Sequence, residues 1–126
     1  HCCVSAAQRW LGRGKTMPYS ACMRKITAKA FTGTRAWEAL PIETIIGSST
    51  VRLHWTDQPY QWHINDGPEV FVVLDGVVHM HTRSDGQESV HRLEVGDIFH
   101  AQSGDEHVAH PQGTARILVI EREGSV

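Results

Sequence analysis

The chain has 126 residues, of which 40% are hydrophobic and 21% are charged, and its net charge is −2. This length allows one domain with a buried core, and no apolar run approaches the about 20 residues that span a bilayer, so we expect a soluble protein with no membrane partner. Residues 23–126 carry 9 basic and 14 acidic groups. Because such an acidic domain repels the phosphate backbone, we also expect no nucleic-acid partner.

The first 22 residues differ from the rest of the chain. They contain all three cysteines, and they lack the apolar block and cleavage motif of a secretory signal. We interpret residues 1–22 as an extension that is disordered or not native to the protein, since Met17 and Met23 both suit a start. An amphipathic turn through Trp10 is the alternative. Cysteines that are odd in number and confined to one end indicate a reducing compartment, so we expect a cytoplasmic protein.

From residue 26 the sequence becomes typical of β-strands, with short runs of β-branched and aromatic residues between turn residues. The predicted strands are 42–46, 50–56, 60–65, 69–74, 77–83, 89–93, 97–101, 107–109 and 115–121. Residues 36–40 alone suggest a short helix. Pairs such as Asp75-Gly76 favour tight hairpins, because these residue types tolerate positive φ. Eight or nine short strands at regular spacing predict an all-β sandwich or small barrel in residues 23–126.

Alternation along the strands predicts which side chains face inward. In the run 69–74 we expect Glu69, Phe71 and Val73 to face the interior, and the alternate residues, all aliphatic, to face outward. Contiguous exposed apolar surface usually marks an interface. We therefore expect a second subunit to cover this outer face.

Two spaced motifs resemble those of the cupin superfamily, and the match covers about the last hundred residues. The first cupin motif is Gly, five residues, His-any-His, three or four residues, Glu, six residues and Gly. The chain has the same spacing in Asp57, His63, Asn65, Glu69 and Gly76. Asp57 thus replaces a glycine and Asn65 replaces the second histidine, which makes the first motif a variant, His-x-Asn-x3-Glu.

The second cupin motif is Gly, five residues, Pro-any-Gly, two residues, His, three residues and Asn. The chain matches its spacing with Gly96, Gln102, Gly104, His107 and Pro111. The sequence is similar to the small single-domain microbial cupins. This resemblance implies a single antiparallel cupin-type β-barrel, or jelly roll, with a small pocket inside.

The resemblance assigns His63, Glu69 and His107 as ligands of one divalent transition metal. Two imidazoles and a carboxylate leave open coordination positions and suit Fe, Mn, Ni or Zn. Asn65 is either a fourth ligand or a residue that supports the ligands. The alternative is a hydrogen-bonded polar cluster retained without a metal.

Four further residues are expected to line the pocket: Phe71, His100, Trp62 and Tyr60. The resemblance implies a metal-dependent enzyme that acts on a small molecule, either sugar-phosphate isomerase-like or dioxygenase-like. The alternative function is a small-ligand-binding or sensor protein without catalysis. The resemblance also implies a homodimer, with strands near residues 26–31 crossing to the partner.

The remaining polar side chains receive simpler interpretations. We expect His79 and His81 on the outer or rim face, because Val78 and Met80 make the better core face, although a second metal site at these histidines is conceivable. His54 is interpreted as a surface residue.

Three arginines, Arg52, Arg83 and Arg116, could bind an anionic substrate, although single arginines on strands usually lie at solvated edges. We assign no catalytic acid or base from the sequence; His100, Tyr60 and Glu106 are the only candidates.

Overall fold

The computed structural model describes residues 23–125, and the predictions for residues 1–22 lie outside this described part. Within it the chain forms nine strands and one short 3₁₀ helix, Ala28–Ala30. The strands are β1 (Glu38–Ile45), β2 (Ser49–Thr56), β3 (His63–Ile64), β4 (Glu69–Asp75), β5 (Val78–Ser84), β6 (Gln87–Leu93), β7 (Ile98–Ala101), β8 (Glu106–Pro111) and β9 (Ala115–Arg122). Nothing in residues 23–125 forms a helix of the length and hydropathy that crossing a bilayer requires.

The strands form two antiparallel sheets that face each other. One sheet has five strands in the order β1-β2-β9-β4-β7, and the other has four in the order β3-β8-β5-β6. The pairs β1–β2 and β5–β6 are consecutive in sequence, but the other neighbours in each sheet are distant in sequence, as when β9 inserts between β2 and β4. This crossed connectivity is that of a jelly roll, so the predicted all-β fold is confirmed.

The core lies between the two sheets and follows the alternation of side chains along the strands. Glu69, Phe71 and Val73 of β4 are all buried, and Val78 and Met80 of β5 are fully buried. The predicted inward faces of both strands are therefore confirmed. Burying apolar side chains of this size contributes about 1.5–3 kcal/mol each.

Two predicted elements near the start of the domain are wrong. Residues 36–40 are not helical, because β1 begins at Glu38 and pairs along its length with β2. Trp37 has a φ of 62°, in the left-handed region, and so it ends the preceding turn instead of starting a helix. Residues 26–31 are not a strand, since they contain the 3₁₀ helix.

The predicted strand 60–65 is shorter than expected, because only His63–Ile64 pairs with β8.

The segment before β1 is held against the five-stranded sheet by Arg116 of β9. Its guanidinium donates to the carbonyl of Phe31 at 2.7 Å and to the hydroxyl of Thr32 at 3.0 Å. The same group forms an ion pair with Asp75 of β4 at 2.6 Å. One side chain thus joins the start of the described chain to two central strands.

Candidate metal centre

The two sheets together bring three donor side chains to one point. His63 of β3 lies directly opposite His107 of β8 in the four-stranded sheet. Glu69 begins β4 in the other sheet, and its side chain crosses the core towards them. One donor atom from each residue lies within 4.8 Å of the other two. The three residues that the motifs single out therefore converge in space.

The histidine rings are oriented in a way that suits a metal. Nδ1 of His63 lies 3.1 Å from the carbonyl oxygen of Gln61. Since a carbonyl can only accept, this nitrogen carries the proton of the neutral ring and leaves the Nε2 lone pair for a ligand bond. Nε2 of His107 lies 3.4 Å from Oε1 of Glu69, and its buried Nδ1 has no hydrogen-bond partner among the described residues. Two nitrogens and a carboxylate in this arrangement fit a divalent transition metal.

A second carboxylate lies beside this cluster. Glu121 of β9 is the direct cross-strand neighbour of Glu69, and it forms an ion pair with Arg52 of β2. Burial raises the pKa of Glu121, and the nearby charge of Glu69 raises it further, against the opposing effect of Arg52. Burial also acts to raise the pKa of Glu69, but the hydrogen bond and charge of His107 outweigh burial and lower it. The pKa of Glu69 is therefore lowered and the pKa of Glu121 is raised.

These residues open onto a cavity between the sheets with a volume of about 290 Å³. Its apolar wall consists of Trp37, Phe71, Met80, Ala109 and Val119. Its polar wall consists of Arg52, His54, Tyr60, His63, Glu69, His107, Glu121 and Ser125. A space of this size accepts one small molecule next to the donor cluster.

Of the predicted pocket residues, Phe71 and Tyr60 line the cavity, and the Tyr60 ring contacts the His63 ring edge-on at 5.3 Å. Trp62 and His100 lie elsewhere. Because His63 faces inward, its neighbour Trp62 faces outward, where the Arg83 guanidinium stacks 3.7 Å from its ring. His100 follows the inward-facing Phe99 and is exposed on β7. Because side chains alternate along the strand, Trp62 and His100 point away from the cavity.

Asn65 is buried, but it is not among the cavity-lining residues. Its backbone N–H donates to the carbonyl of Asp105, and its carbonyl accepts from the N–H of Gly104. These bonds fasten the end of β3 to the loop that leads to His107. The side-chain Nδ2 has no partner within residues 23–125.

Two polar residues of β2, Arg52 and His54, face the cavity. The prediction that His54 lies on the surface is wrong, and Arg52 lines the cavity rather than a solvated edge. Binding of an anionic substrate by Arg52 stays a prediction. Nδ1 of His54 donates to the carbonyl of Trp37 at 3.0 Å, and burial lowers the pKa of its imidazole. The alternation along β2 places Arg52 and His54 on one face of the strand and Leu53 on the other. Leu53 is also buried, so the apolar residues of this strand do not show which of its faces points to the cavity.

The histidines of β5 lie outside the cavity, as predicted. His79 and His81 alternate with the buried Val78 and Met80, and the His81 ring contacts that of His110 at 4.4 Å. Apart from the cluster at Glu69, no group of three His, Cys, Asp or Glu side chains converges in the described part of the chain. The conceivable second site at His79 and His81 is therefore not formed by three such residues.

No protein-family model and no curated protein matches this chain. Solved structures match it, at low sequence identity. A cupin-2 domain containing protein from Shewanella frigidimarina is 23% identical, with a TM-score of 0.61, and the match covers 72% of this chain and 85% of that one. A cupin superfamily protein from Desulfitobacterium hafniense is 13% identical, with a TM-score of 0.59 and coverage of 72% and 83%.

A third similar structure is that of cobalt(II) HppE in complex with its substrate. It is 14% identical, with a TM-score of 0.59, and the match covers 68% of this chain and 52% of that one. Similarity at this level of identity concerns the arrangement of strands. The chain has the fold of the cupin superfamily.

Proposed function

We propose that this protein binds one divalent transition metal through His63, Glu69 and His107 and acts on a small molecule in the adjoining cavity. The observation that carries the proposal is the convergence of the three donor atoms within 4.8 Å at the wall of that cavity. Buried ionisable groups are costly unless they are paired or bind a metal. His107 is 2% exposed, so a metal bound at this cluster would compensate for its burial.

A metal held by these residues would supply Lewis acidity or a coordination position for a substrate. The protein's own contribution is to fix the donor atoms and to exclude bulk water. The hydrogen bond from His63 to Gln61 sets the ring tautomer, and the apolar wall around Phe71 and Met80 limits access of water. The similar fold of cobalt(II) HppE, solved with its substrate, supports the idea that this architecture accommodates metal and substrate together.

Elemental analysis of protein purified without a metal-affinity tag tests the proposal. We expect about one equivalent of a transition metal, lost in His63→Ala and in His107→Ala. His100→Ala is the matched control, because His100 is an exposed histidine outside the cavity, and it should keep the metal. Absence of stoichiometric metal after reconstitution with Fe, Mn, Ni, Co and Zn would rule out the metal centre.

A protein that binds a small ligand without catalysis is the second candidate. The observation that favours it is the apolar wall formed by Phe71, Met80, Ala109 and Val119, which provides affinity for a ligand irrespective of a metal. Ligands that raise the melting temperature equally with and without metal, and that are recovered unchanged after incubation, would support this function over the first.

We further propose that the protein is a homodimer. The outward-facing Val70, Val72 and Leu74 of β4 are only half-buried, and Ile98, which pairs with Val72, is 64% exposed. Contiguous apolar surface of this kind usually meets a partner. Light scattering during gel filtration should give twice the chain mass, and Val72→Lys should reduce it to the mass of one chain, whereas a wild-type monomer would contradict the proposal.

A further inference from the structure

Two imidazoles lie side by side on the outer face of the four-stranded sheet, away from the cavity. The ring centroids of His81 on β5 and His110 on β8 are 4.4 Å apart, and the ring planes are tilted by 48°. Both side chains are half-buried, and no hydrogen bond engages either ring within residues 23–125. The ring nitrogens of this pair are therefore available to a ligand from solvent.

The register of the two strands produces this contact. His79 lies directly opposite His110, and His81 lies two residues further along the same face of β5. His81 and His110 are therefore diagonal neighbours on adjacent strands, a separation that long side chains bridge. Val78 and Met80 alternate with the histidines of β5 and are fully buried. Burial of these two side chains keeps the imidazoles on the outer face.

His79 shares the outer face but is engaged elsewhere. Its Nε2 lies 3.4 Å from Nη1 of Arg92. Since a guanidinium can only donate, the lone pair of this nitrogen is already used as an acceptor. His79, His81 and His110 do not bring three donor atoms within 4.8 Å of one another. A metal ion at this face would therefore have two ligands from the protein.

The protonation state of the pair favours metal binding. Slight burial lowers the pKa of the His110 imidazole, and the charges of His81 and His79 lower it further, because imidazolium ions this close repel each other. His110 is accordingly neutral at neutral pH and offers a lone pair. Neutral imidazoles are suitable ligands for zinc, nickel and copper ions.

We propose that His81 and His110 form a second metal site, on the outer face of the domain, which binds one divalent ion such as Zn²⁺ with water as its remaining ligands. The site is separate from the interior centre. His107 and His110 are on the same strand, but His107 lines the cavity and His110 points to the opposite face. Two ligands hold an ion more weakly than three, so the outer ion is lost on dialysis while the interior one is retained. A bound ion would link β5 to β8 and stabilise the folded chain according to its occupancy.

A zinc titration followed by NMR of the histidine side chains tests this proposal on the full chain. Because thiolates bind Zn²⁺, the three cysteines are first alkylated with iodoacetamide. One equivalent of Zn²⁺ is added to load the interior centre, and excess Zn²⁺ follows. We expect the imidazole signals of His81 and His110 to shift together along one saturable curve. The signals of His91 and His100, which are exposed histidines elsewhere, should not move with them.

Single substitutions identify the ligands of the outer ion. His81→Ala and His110→Ala should each weaken the second binding event at least tenfold, because each removes one of only two protein ligands. His79→Ala is the matched control on the same face and should weaken it less than threefold. Unchanged signals of His81 and His110 in excess zinc overturn the site. A loss in His79→Ala as large as that in His81→Ala overturns the assignment of two ligands.

The result does not depend on the interior centre. His63→Ala removes an interior ligand, and the signals of His81 and His110 should respond to zinc in this variant as they do in the wild type. Loss of that response overturns the independence of the two sites. An empty interior centre with an unchanged outer response contradicts the first metal proposal alone. Should His81→Ala not fold, as judged by circular dichroism, His81→Gln replaces it. Zinc should also raise the melting temperature of His63→Ala by more than that of His63→Ala/His81→Ala, and equal rises contradict the outer site.

Discussion

Glu69 and Glu121 lie directly opposite each other on β4 and β9, and both side chains face the cavity. Like charges at this cross-strand position are unfavourable. Glu69 contacts the imidazole of His107, and Glu121 forms an ion pair with Arg52. Each carboxylate therefore has a partner of its own. The pair therefore makes the stability of the metal-free protein depend on pH.

Glu121→Gln should alter this dependence in a defined direction. Burial raises the pKa of Glu121 above its ordinary value of 4.5, so the folded protein keeps a proton that the unfolded chain releases. This contribution to stability is present below 4.5 and is lost as pH rises through the folded-state pKa. In EDTA, the melting temperature of Glu121→Gln should therefore increase more, or decrease less, than that of the wild type as pH rises from 4.5 through the folded-state pKa. Parallel curves over this range would contradict the assignment, and above the range the curves should run parallel.

His54 is expected to remain neutral at neutral pH. Burial lowers its pKa below the ordinary 6.5, so its contribution to stability is full above 6.5 and is lost as pH falls below that value. An NMR titration of the metal-free protein should give a midpoint below 6.5 for this imidazole. In His54→Gln the loss of stability between pH 6.5 and 5 should be smaller than in the wild type, whereas above pH 7 the two profiles should be parallel. A midpoint above 6.5 would contradict the prediction.

Two glycines with positive φ, Gly76 in the turn from β4 to β5 and Gly86 in the hairpin of β5 and β6, form a matched pair for mutation. Gly76 has a φ of +81° and Gly86 has a φ of +76°, but a Cβ at Gly76 would lie 2.3 Å from the carbonyl oxygen of Thr114, while one at Gly86 meets nothing within 4 Å. Gly86→Ala should cost about 1–2 kcal/mol from the left-handed backbone alone. Gly76→Ala should cost about 1–3 kcal/mol more, because the backbone of β9 must shift. Urea denaturation measures both, and equal losses would contradict the close packing at Gly76.

Asn65→Ala should retain about one equivalent of metal. Asn65 is not among the residues that line the cavity. The hydrogen bonds between Asn65 and the residues Gly104 and Asp105 are made by its backbone, not by its side chain. The variant should therefore preserve the loop before His107. Metal content and a competition titration with a chelator are the measurements. Loss of stoichiometric metal would identify the amide as a ligand.

The strands were largely predictable because alternation and turn chemistry act locally. The inward face at Phe71 follows from residue types alone. Asp75-Gly76 forms a turn, but the predicted hairpin there is wrong, because the turn joins β4 and β5, which lie in different sheets. The convergence of His63, Glu69 and His107 was reachable through motif spacing. What failed depends on strand pairing: residues 38–40 belong to β1 because their backbone groups pair with residues 53–55 of β2, and local propensity contains no information about that pairing.

The cavity's polar wall was hard to predict for a related reason. Arg52 alternates with Val51 and Leu53, and this pattern normally indicates a solvent-facing arginine. In the folded chain the apolar residues of β2 lie on the outer side of the sheet, while Arg52 meets Glu121 from the neighbouring β9. The long separation of these partners along the chain hides the pair from any local pattern.

Arg116 has a practical consequence for where the domain can be cut. Because its guanidinium holds the Phe31 carbonyl and the Thr32 hydroxyl, a shortened version that starts at β1 would leave two of its donors unsatisfied on the central strand β9. Such unpaired donors cost about 1–3 kcal/mol each where water cannot reach them. Expression of the minimal domain should therefore begin upstream of Phe31, even though the first strand begins only at Glu38.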